Sequence, residues 1–332
     1  MTPPLDDLLD RLHVVALPMR VRFRGIMIRE VALFDGPAGW GEFGPFLEYQ
    51  PPEAAHWLAA GIEGAYTKPP GIRRDRIPIN ATVPAVKAAE VPDVLARFPG
   101  ARTAKVKVAE PGQSLADDVA RVNAVRALVP TVRVDANGGW TVAQAAAAAT
   151  ALTAAGPLEY IEQPCKTVPE LAEVRRRVEV PIAADESIRK ADDPLQVVHA
   201  GAADVAVLKV APLGGVRKLL DIAAQIDIPI VVSSALDSAV GIGHGLLAAA
   251  ALPDLPHACG LGTGGLFVED VAAPTPPVDG YLPAERATPD PARLDALKAP
   301  SERRRWWIAR IAECYCAVPP NPATAEATPD VE

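Results

Sequence analysis

The fold is decided by three short segments: TVRVD at residues 131–135, YIEQP at 160–164 and IAADES at 182–187. Each begins with a short run of residues that favour a strand, and each places an acidic residue where that run ends. The three acids are Asp135, Glu162 and Asp185. The segments therefore predict consecutive βα units, each with a carboxylate at the carboxyl end of its strand.

The same alternation extends in both directions from these segments. Strands are predicted at 79–83, 103–108, 131–135, 160–162, 182–184, 205–209 and 228–233, with a weaker one around Cys259. Helices are predicted at 114–128, 142–154, 168–178 and 216–225. Sustained β-α alternation indicates a parallel sheet, and this number of units favours a closed barrel over an open sheet. We expect an α/β fold with a modified (β/α)7β TIM-type barrel over residues 78–284.

The chain before and after the barrel has a different texture. From about residue 17 to 43 apolar and polar residues alternate, and Asp35-Gly36-Pro37 marks a turn, which predicts antiparallel strands with a hairpin. A helix is predicted at 52–65. We expect residues 1–77 to form a separate α+β domain, completed by C-terminal helices at about 285–316. The tail at 317–332 is rich in Pro, Ala, Thr and Glu and is predicted to be disordered.

Composition limits the classes of function. The 332 residues carry a formal net charge of −8 without a long Lys/Arg run, so we expect no nucleic-acid partner. No stretch supplies the roughly 20 apolar residues of a membrane span, and the start MTPPLDDLLD lacks a targeting signal. The four cysteines show neither a zinc spacing nor a disulfide framework. We expect a cytoplasmic protein with no membrane partner and leave its oligomeric state open, a monomer included.

Asp135, Glu162 and Asp185 are predicted to meet at one end of the barrel. Adjacent strands lie about 4.8 Å apart, so acids at the same level on neighbouring strands converge. Any one of them alone would be an ordinary helix N-cap, but three together would repel one another. A divalent cation removes that repulsion, and ligands that are all oxygen indicate Mg²⁺, with Mn²⁺ as an alternative.

Lysines lie on the strands that flank these acids. Lys105 and Lys107 share one face of an otherwise apolar strand, and Lys209 ends the strand after Asp185. A lysine inside a barrel is costly unless it is paired or functional. A lysine that is partly desolvated beside other cations has a lowered pKa and can act as a base near neutral pH. Together with a metal-bound carboxylate, the lysines indicate proton transfer at a carbon next to that carboxylate.

The full set of motifs resembles the enolase superfamily, and within it the muconate lactonizing subgroup. The matching segments are AKVK at 104–107, VRVDAN at 132–137, IEQP at 161–164, ADES at 184–187 and LK at 208–209. In the segments VRFRG at 21–25, GEFGPF at 41–46 and SSALDS at 233–238 the chain is similar to the short, actinobacterial type of the o-succinylbenzoate synthase family. The resemblance implies that the α+β domain caps the barrel.

The resemblance also implies an activity and roles for residues. It implies Mg²⁺-dependent dehydration of 2-succinyl-6-hydroxy-2,4-cyclohexadiene-1-carboxylate to 2-succinylbenzoate in menaquinone synthesis, with a small carboxylate as the substrate. Lys107 would move the proton and Lys209 would stabilise the enediolate. The residues assigned to substrate binding or to supporting the site are Lys105, Arg133, Asn137, Glu186, Ser233, Ser234, Gly262 and Gly264.

One alternative stays open within the same superfamily. An N-acylamino acid racemase or a dipeptide epimerase would use the same two lysines and three acids, with one lysine on each face of the substrate. The substrate lid is also undefined, because the glycine-rich loop usual in the capping domain has no counterpart beyond Arg24-Gly25.

Overall fold

The computed structural model describes residues 2–190 and 193–318, so the predicted disordered tail, apart from residues 317 and 318, lies outside the described residues. After the short helix α1 (Leu5–Asp10), a three-stranded antiparallel sheet is formed by β1 (Leu12–Phe23), β2 (Ile26–Gly36) and β3 (Gly39–Phe43). Helix α2 (Pro51–Tyr66) packs against β3. The predicted helix at 52–65 is therefore confirmed, as is the hairpin around residue 36.

The turn between β1 and β2 was not predicted. Val21, Phe23, Gly25 and Met27 follow a strand-like alternation, and the only turn predicted in this region is the one at residues 35–37. In the structure the chain reverses at Arg24 and Gly25, which both have positive φ angles, 48° and 79°. Glycine adopts this conformation freely, whereas arginine does so at some cost. Because this turn lies between two strands of 12 and 11 residues, β1 and β2 form a long hairpin. The tip of the hairpin reaches the barrel.

The barrel is built from a seven-stranded parallel sheet in the described part of the chain. A short strand, β4 (Arg76–Pro78), precedes it and pairs with β12 (Tyr281–Pro283). The barrel strands are β5 (Ala81–Val83), β6 (Thr103–Lys107), β7 (Thr131–Asp135), β8 (Ile161–Glu162), β9 (Ile182–Ala184), β10 (Val205–Leu208) and β11 (Ile230–Val232). Each strand pairs with the next in sequence order, as the predicted βα repeats require.

The segment around Cys259 closes the barrel. Cys259 forms a parallel bridge to Ile79, just before β5, and Gly260 forms one to Ser233, just after β11. These two bridges fill the eighth position between the first and last strands of the sheet. The predicted (β/α)7β barrel is confirmed, with the weak eighth strand reduced to two bridging residues.

Helices connect the strands and surround the barrel. They are α3 (Val91–Leu95), α4 (Leu115–Arg126), α5 (Val142–Thr153), α6 (Val168–Arg177), α7 (Glu186–Arg189), α8 (Gln196–His199), α9 (Val210–Leu213), α10 (Val216–Ala223) and α11 (Ala239–Ala251). Three of them begin at a reciprocal capping box, formed by Ser114 with Asp117, Thr141 with Gln144, and Thr167 with Glu170. A capping box satisfies backbone N–H groups at a helix start, which explains where these helices begin.

The C-terminal part returns to the N-terminal sheet. Helices α12 (Pro291–Ala296) and α13 (Ser301–Tyr315) follow β12, and Trp307 of α13 packs edge-on against Phe43 at 5.7 Å. Glu30 of β2 accepts hydrogen bonds from the Arg303 guanidinium and the Trp307 indole. These contacts support a capping domain made from both ends of the chain, and the bounds at residues 77 and 285 stay predictions. Within the ranges described, no helix combines the length and the apolar character needed to cross a membrane.

The backbones of β3 and α2 approach each other closely at two glycines. A Cβ atom on Gly41 would lie 2.1 Å from the carbonyl oxygen of Gly61, and one on Gly61 would lie 2.7 Å from the carbonyl oxygen of Glu42. Because both obstacles are backbone atoms, neither can move aside without displacing the helix or the strand.

We expect Gly41→Ala to destabilise the protein by about 1–3 kcal/mol, the usual effect of overpacking. The measurement is the free energy of unfolding in urea. Gly71→Ala is the matched control, since no atom lies within 4 Å of a Cβ at that position. Equal stabilities of the two variants would contradict the close approach.

Candidate active site

Three strand ends place the candidate catalytic side chains in one row. In the parallel pairing, Lys107 of β6 is level with Asp135 of β7, and Asp135 is level with Glu162 of β8. Glu162 in turn is level with Ala183 of β9, so Asp185 follows just beyond that strand. All three acids are buried, with at most 1% of their surface exposed. The row lies at the carboxyl ends of the strands, where active sites form in barrels of this type.

Two lysines of β6 bind the first two acids. The Lys107 ammonium donates to Asp135 Oδ2 at 2.6 Å and to Asn137 Oδ1 at 2.6 Å. Lys105 starts one layer lower, but its long side chain reaches Glu162 at 2.7 Å and Asp135 Oδ2 at 3.1 Å. The buried carboxylates are therefore neutralised by ammonium groups, as buried charges require.

The third acid lies between a lysine and an arginine. Lys209, next to the end of β10, donates to Asp185 Oδ2 at 2.6 Å, and Arg189 Nε donates to Asp185 Oδ1 at 2.9 Å. The other nitrogens of Arg189 reach Glu186 at 2.6 Å and the Tyr49 hydroxyl at 2.5 Å. Sequence reasoning missed Arg189, although its position four residues after Asp185 at the end of α7 was a usable signal.

Residues of both domains enclose a small cavity at this row. Its volume is about 40 Å³, and Lys107 and Lys209 both line it. From the N-terminal sheet, Phe23 and Arg24 come from the hairpin tip and Phe46 comes from beyond β3. The remaining lining residues are Thr82, Lys105, Asp135, Asn137, Arg189, Ser233, Ser234, Ala235, Leu236, Gly260 and Thr263. The tip of the β1–β2 hairpin thus forms one side of this cavity, and its Phe23 ring lies 5.4 Å from the Lys107 ammonium.

Burial and neighbouring charges shift the pKa values of this cluster in different directions. Burial, together with the negative charge of Asp135, raises the pKa of Glu162 to about 7. Burial also acts to raise the pKa of Asp135, but Lys107 and Lys105 outweigh it and hold that pKa below its usual range. Burial lowers the pKa of Lys107 against the attraction of Asp135, and the charge of Lys105 lowers it further. A lysine with a lowered pKa next to a carbon acid is equipped to act as a base.

Backbone strain is concentrated at the same end of the barrel. Asn137, Gln163 and Leu236 follow β7, β8 and β11, and all three have positive φ angles, of 48°, 41° and 62°. Residues other than glycine adopt this region at a cost, and such residues cluster at functional sites. At Gln163 two hydrogen bonds of the side-chain amide compensate the strain. Its Nε2 donates to Ser187 Oγ at 2.7 Å, and its Oε1 accepts from the Asp185 N–H at 3.0 Å.

Several predicted residues lie elsewhere. Arg133 starts level with Lys105 but extends away from the row, donating to Glu159 at 2.7 Å and to the Tyr160 hydroxyl at 2.8 Å. Gly262 and Gly264 line a larger cavity of about 610 Å³, which shares no lining residue with the smaller one. A role for these three residues in substrate binding stays a prediction that the geometry does not favour.

Other predicted residues are closer to the row. Ser233 and Ser234 line the small cavity, and the Ser234 hydroxyl lies 2.7 Å from that of Thr263. Glu186 is held beside Asn137 by a hydrogen bond of 3.2 Å. The small cavity is the candidate site, because Lys105, Lys107, Lys209 and Asp135 all line it.

The three acids fit a divalent metal ion in donor type and register. They offer only oxygen atoms as ligands and lie at neighbouring strand ends. They also repel one another, and the negative charges of Asp135 and Asp185 contribute to the raised pKa of Glu162. Their carboxylates are directed at lysines in this structure, and in the described ranges no three acidic, histidine or cysteine side chains are grouped so as to hold a metal ion. Asp135, Glu162 and Asp185 are therefore suitable ligands whose side chains are currently paired with ammonium groups.

This combination of a capped barrel with acids and lysines at its strand ends is that of the enolase superfamily, to which the chain belongs. Residues 88–289 match the family described as enolase C-terminal domain-like, and residues 14–65 match enolase N-terminal domain-like. A muconate lactonizing enzyme from Pseudomonas fluorescens, solved in complex with muconolactone, has the same fold. Its TM-score is 0.74 at 22% identity, over 87% of this chain and 98% of that one.

Within the superfamily the chain belongs to the family of o-succinylbenzoate synthases. A protein of that name from Mycobacterium marinum is 79% identical over 311 residues, covering 94% of this chain and 95% of the relative. Another from Mycobacterium tuberculosis H37Rv is 75% identical over 319 residues, covering 96% and 98%. The chain is thus an enzyme and, as a member of this family, a lyase.

We expect Arg189→Met to destabilise the protein by about 3 kcal/mol, because it removes the cation that pairs with Glu186 and one of the two that pair with Asp185. Urea unfolding measures the effect. Arg177→Met is the control: Arg177 pairs with Glu173 on the exposed face of α6, and such pairs contribute about 0–1 kcal/mol. Losses of equal size in the two variants would refute the role given to Arg189.

Proposed function

We propose that this protein is an o-succinylbenzoate synthase. It would dehydrate 2-succinyl-6-hydroxy-2,4-cyclohexadiene-1-carboxylate to 2-succinylbenzoate, as a step of menaquinone synthesis in the cytoplasm. The observation that carries the proposal is the row Lys107–Asp135–Glu162, with Lys209 and Asp185 beside it, in a chain 79% identical to a protein of that name. The row supplies a base and a set of oxygen ligands at one end of the barrel.

Lys107 is the residue that we assign to proton transfer. Its ammonium is positioned by Asp135 and Asn137, and its pKa is lowered by burial. The neutral amine takes the proton from the carbon next to the substrate carboxylate, and the resulting ammonium gives that proton to the departing hydroxyl on the same face. Water leaves, the ring becomes aromatic, and Lys107 returns to its neutral form, so one lysine serves both steps.

Lys209 is assigned a different role. It lies at the end of β10, across the sheet from β6, and is held by Asp185 at 2.6 Å. Its fixed positive charge stabilises the negative charge that develops on the substrate carboxylate when the proton leaves.

We assign Mg²⁺ to Asp135, Glu162 and Asp185, with Mn²⁺ as an alternative. When bound, the metal ion supplies positive charge that stabilises the enediolate form of the substrate carboxylate. The donor set and the mutual repulsion of the three acids support this assignment.

The size of the cavity requires the hairpin to move. Its volume of about 40 Å³ is far below the roughly 300–1,000 Å³ of typical small-molecule sites. Phe23 and Arg24 at the hairpin tip, together with Phe46, form the side that faces the lysines. We infer that the β1–β2 hairpin withdraws to admit the substrate and then returns to exclude water from the reacting groups.

A racemase of the same superfamily is the second candidate, and the observation in its favour is that Lys107 and Lys209 both line the cavity. A racemase exchanges the α-hydrogen of its substrate with D₂O and retains all other groups. The synthase instead produces an aromatic chromophore from the cyclohexadiene. Incubation with each substrate, followed by absorbance and mass spectrometry, separates the two activities.

We expect Lys107→Ala to lower kcat by at least about 10³-fold, because it removes both proton transfers. The assay follows formation of the aromatic product, and circular dichroism checks the fold. Lys218→Ala, which removes an exposed lysine of α10, is the control and should retain wild-type kcat. If Lys107→Ala keeps more than a tenth of the wild-type rate, Lys107 is not the base.

We expect Asp185→Asn to weaken Mg²⁺ binding at least about tenfold, since a neutral amide is a poorer ligand than a carboxylate. Isothermal titration calorimetry with MgCl₂ gives the dissociation constant. Asp221→Asn changes an exposed acid of α10 and should leave the constant unchanged. Unaltered affinity in Asp185→Asn would remove Asp185 from the ligand set.

A further inference from the structure

A carboxylate of the N-terminal sheet caps a helix of the barrel. Helix α11 begins at Ala239, after Ser238 as its N-cap. Glu42 of β3 accepts hydrogen bonds from the Ser238 N–H at 3.2 Å, the Ser238 hydroxyl at 2.6 Å and the Gly241 N–H at 3.0 Å. The first turn of a helix has unpaired N–H groups that need such acceptors. Here the acceptor comes from a residue almost 200 positions earlier in the chain.

The fit around Glu42 is tight. Its side chain and that of Ser238 are buried, with 5% and 0% of their surface exposed. A Cβ on Gly241 would lie 3.0 Å from Glu42 Oε2 and 2.7 Å from the Cβ of Asp237. The start of α11 is therefore shaped to receive this carboxylate, and a larger residue at position 241 would push it away.

A second side chain of the same sheet holds the other part of the loop. Arg29 of β2 is buried and donates to the Leu236 carbonyl at 3.0 Å. Leu236 has a φ of 62°, a conformation that needs external support. On the sheet side, Arg29 donates to the Gly44 carbonyl and lies over the Phe46 ring at 4.6 Å. Glu42 and Arg29 together fix residues 236–241 to the N-terminal sheet.

The loop held in this way is part of the catalytic cavity. Ser233, Ser234, Ala235 and Leu236 line the cavity, and they run directly into the N-cap that Glu42 binds. The Ala235 N–H also donates to Asp237 Oδ2 at 3.0 Å, which keeps the loop compact. Displacement of Ser238 would therefore be transmitted to the groups that face the substrate.

We propose that Glu42 is a positioning residue that fixes the 233–238 loop for substrate binding by capping α11 across the domain interface. Glu42 touches none of the lysines or acids of the row and acts only through this loop. The part of the proposal that concerns substrate affinity rests on the proposed function, and the part that concerns the loop does not.

The electrostatics of this position agree with a positioning role. Burial, and then the negative charge of Asp237, raises the pKa of Glu42 to about 8, against the stabilising hydrogen bond from Ser238. Burying this acid beside Asp237 is costly, and the charge of Arg29 offsets that cost only in part. Against this cost, the carboxyl group accepts the hydrogen bonds that cap α11.

The test compares three variants. Glu42→Ala removes the cap, Glu42→Gln keeps the volume and one acceptor, and Glu30→Ala is the matched control. Glu30 is also an acid of the N-terminal sheet, but it binds Arg303 and Trp307 of α13 and not the barrel loop. Two readouts are needed: kcat and KM with the cyclohexadiene substrate, and hydrogen–deuterium exchange of peptides spanning 233–242 without substrate.

We expect Glu42→Ala to raise KM at least about tenfold, to change kcat by less, and to speed exchange in the 233–242 peptides. Glu42→Gln should fall between Glu42→Ala and the wild type in both readouts. Glu30→Ala should lower Tm while leaving KM and the exchange of this segment unchanged.

Wild-type exchange at 233–242 in Glu42→Ala would overturn the proposal, as would an equal change in Glu30→Ala. If Glu42→Ala does not fold, Glu42→Gln decides, because an NH₂ group, which accepts no hydrogen bond, replaces one of the two oxygens that accept from Ser238 and Gly241; unchanged exchange there overturns the proposal. Absence of turnover in the wild-type enzyme would refute the proposed function, while the exchange experiment would still test the cap.

Discussion

The attraction between three buried carboxylates and the cations among them is the constraint on which the catalytic end of the barrel depends. Asp135, Glu162 and Asp185 could not be buried alone, because the desolvation of an unpaired ion costs several kcal/mol. Lys105, Lys107 and Lys209 compensate them at 2.6–2.7 Å. The register of β6 and β7 sets Lys107 level with Asp135, while Lys105 starts two residues earlier and reaches the row with its long side chain. A shift of β6 against β7 by one residue would direct the lysines out of the barrel and leave the acids unpaired. The catalytic groups thereby also specify the register of the sheet.

The N-terminal part of the chain contacts this end of the barrel at three points. Tyr49 accepts a hydrogen bond from Arg189, which holds Asp185; Glu42 caps α11; and Phe23 lies over Lys107. The barrel supplies the reacting groups, and the sheet supplies one wall of the cavity and support for two of the loops around it. A site divided in this way can open by movement of the sheet without disturbing the strands that hold the charges.

The sequence predicted those parts of the site that depend on period and position. Short apolar runs ending in Asp135, Glu162 and Asp185 indicate strand ends, and parallel strands bring their carboxyl ends together whatever the details of packing. What the sequence could not predict depends on the direction and reach of single side chains. Arg133 and Lys105 are level on adjacent strands, yet Lys105 extends to the row and Arg133 extends to Glu159.

The sequence also failed to predict one turn and one contact between residues far apart in the chain. The reversal at Arg24 was hidden because apolar alternation continues through it, and the cap formed by Glu42 joins residues that no local pattern relates. The fold class followed from repeated units, each of which gives the same signal, so that an error in one does not change the conclusion. The hairpin turn at Arg24 and the cap formed by Glu42 each occur only once in the parts described above. No repeated sequence pattern therefore indicates either of them.

The closure of the barrel by only two bridging residues bears on how the chain folds. Strands β5 to β11 can pair successively as they leave the ribosome, because each lies next to its neighbour in sequence. The contact of Cys259 with Ile79 joins the first and last parts of the barrel sequence, so loop-closure entropy makes it a late step. Until it forms, β5 and β11 are unprotected edges on which another chain can add a strand. Closure of the barrel by Cys259 and Gly260 is therefore the step that protects both edges at once.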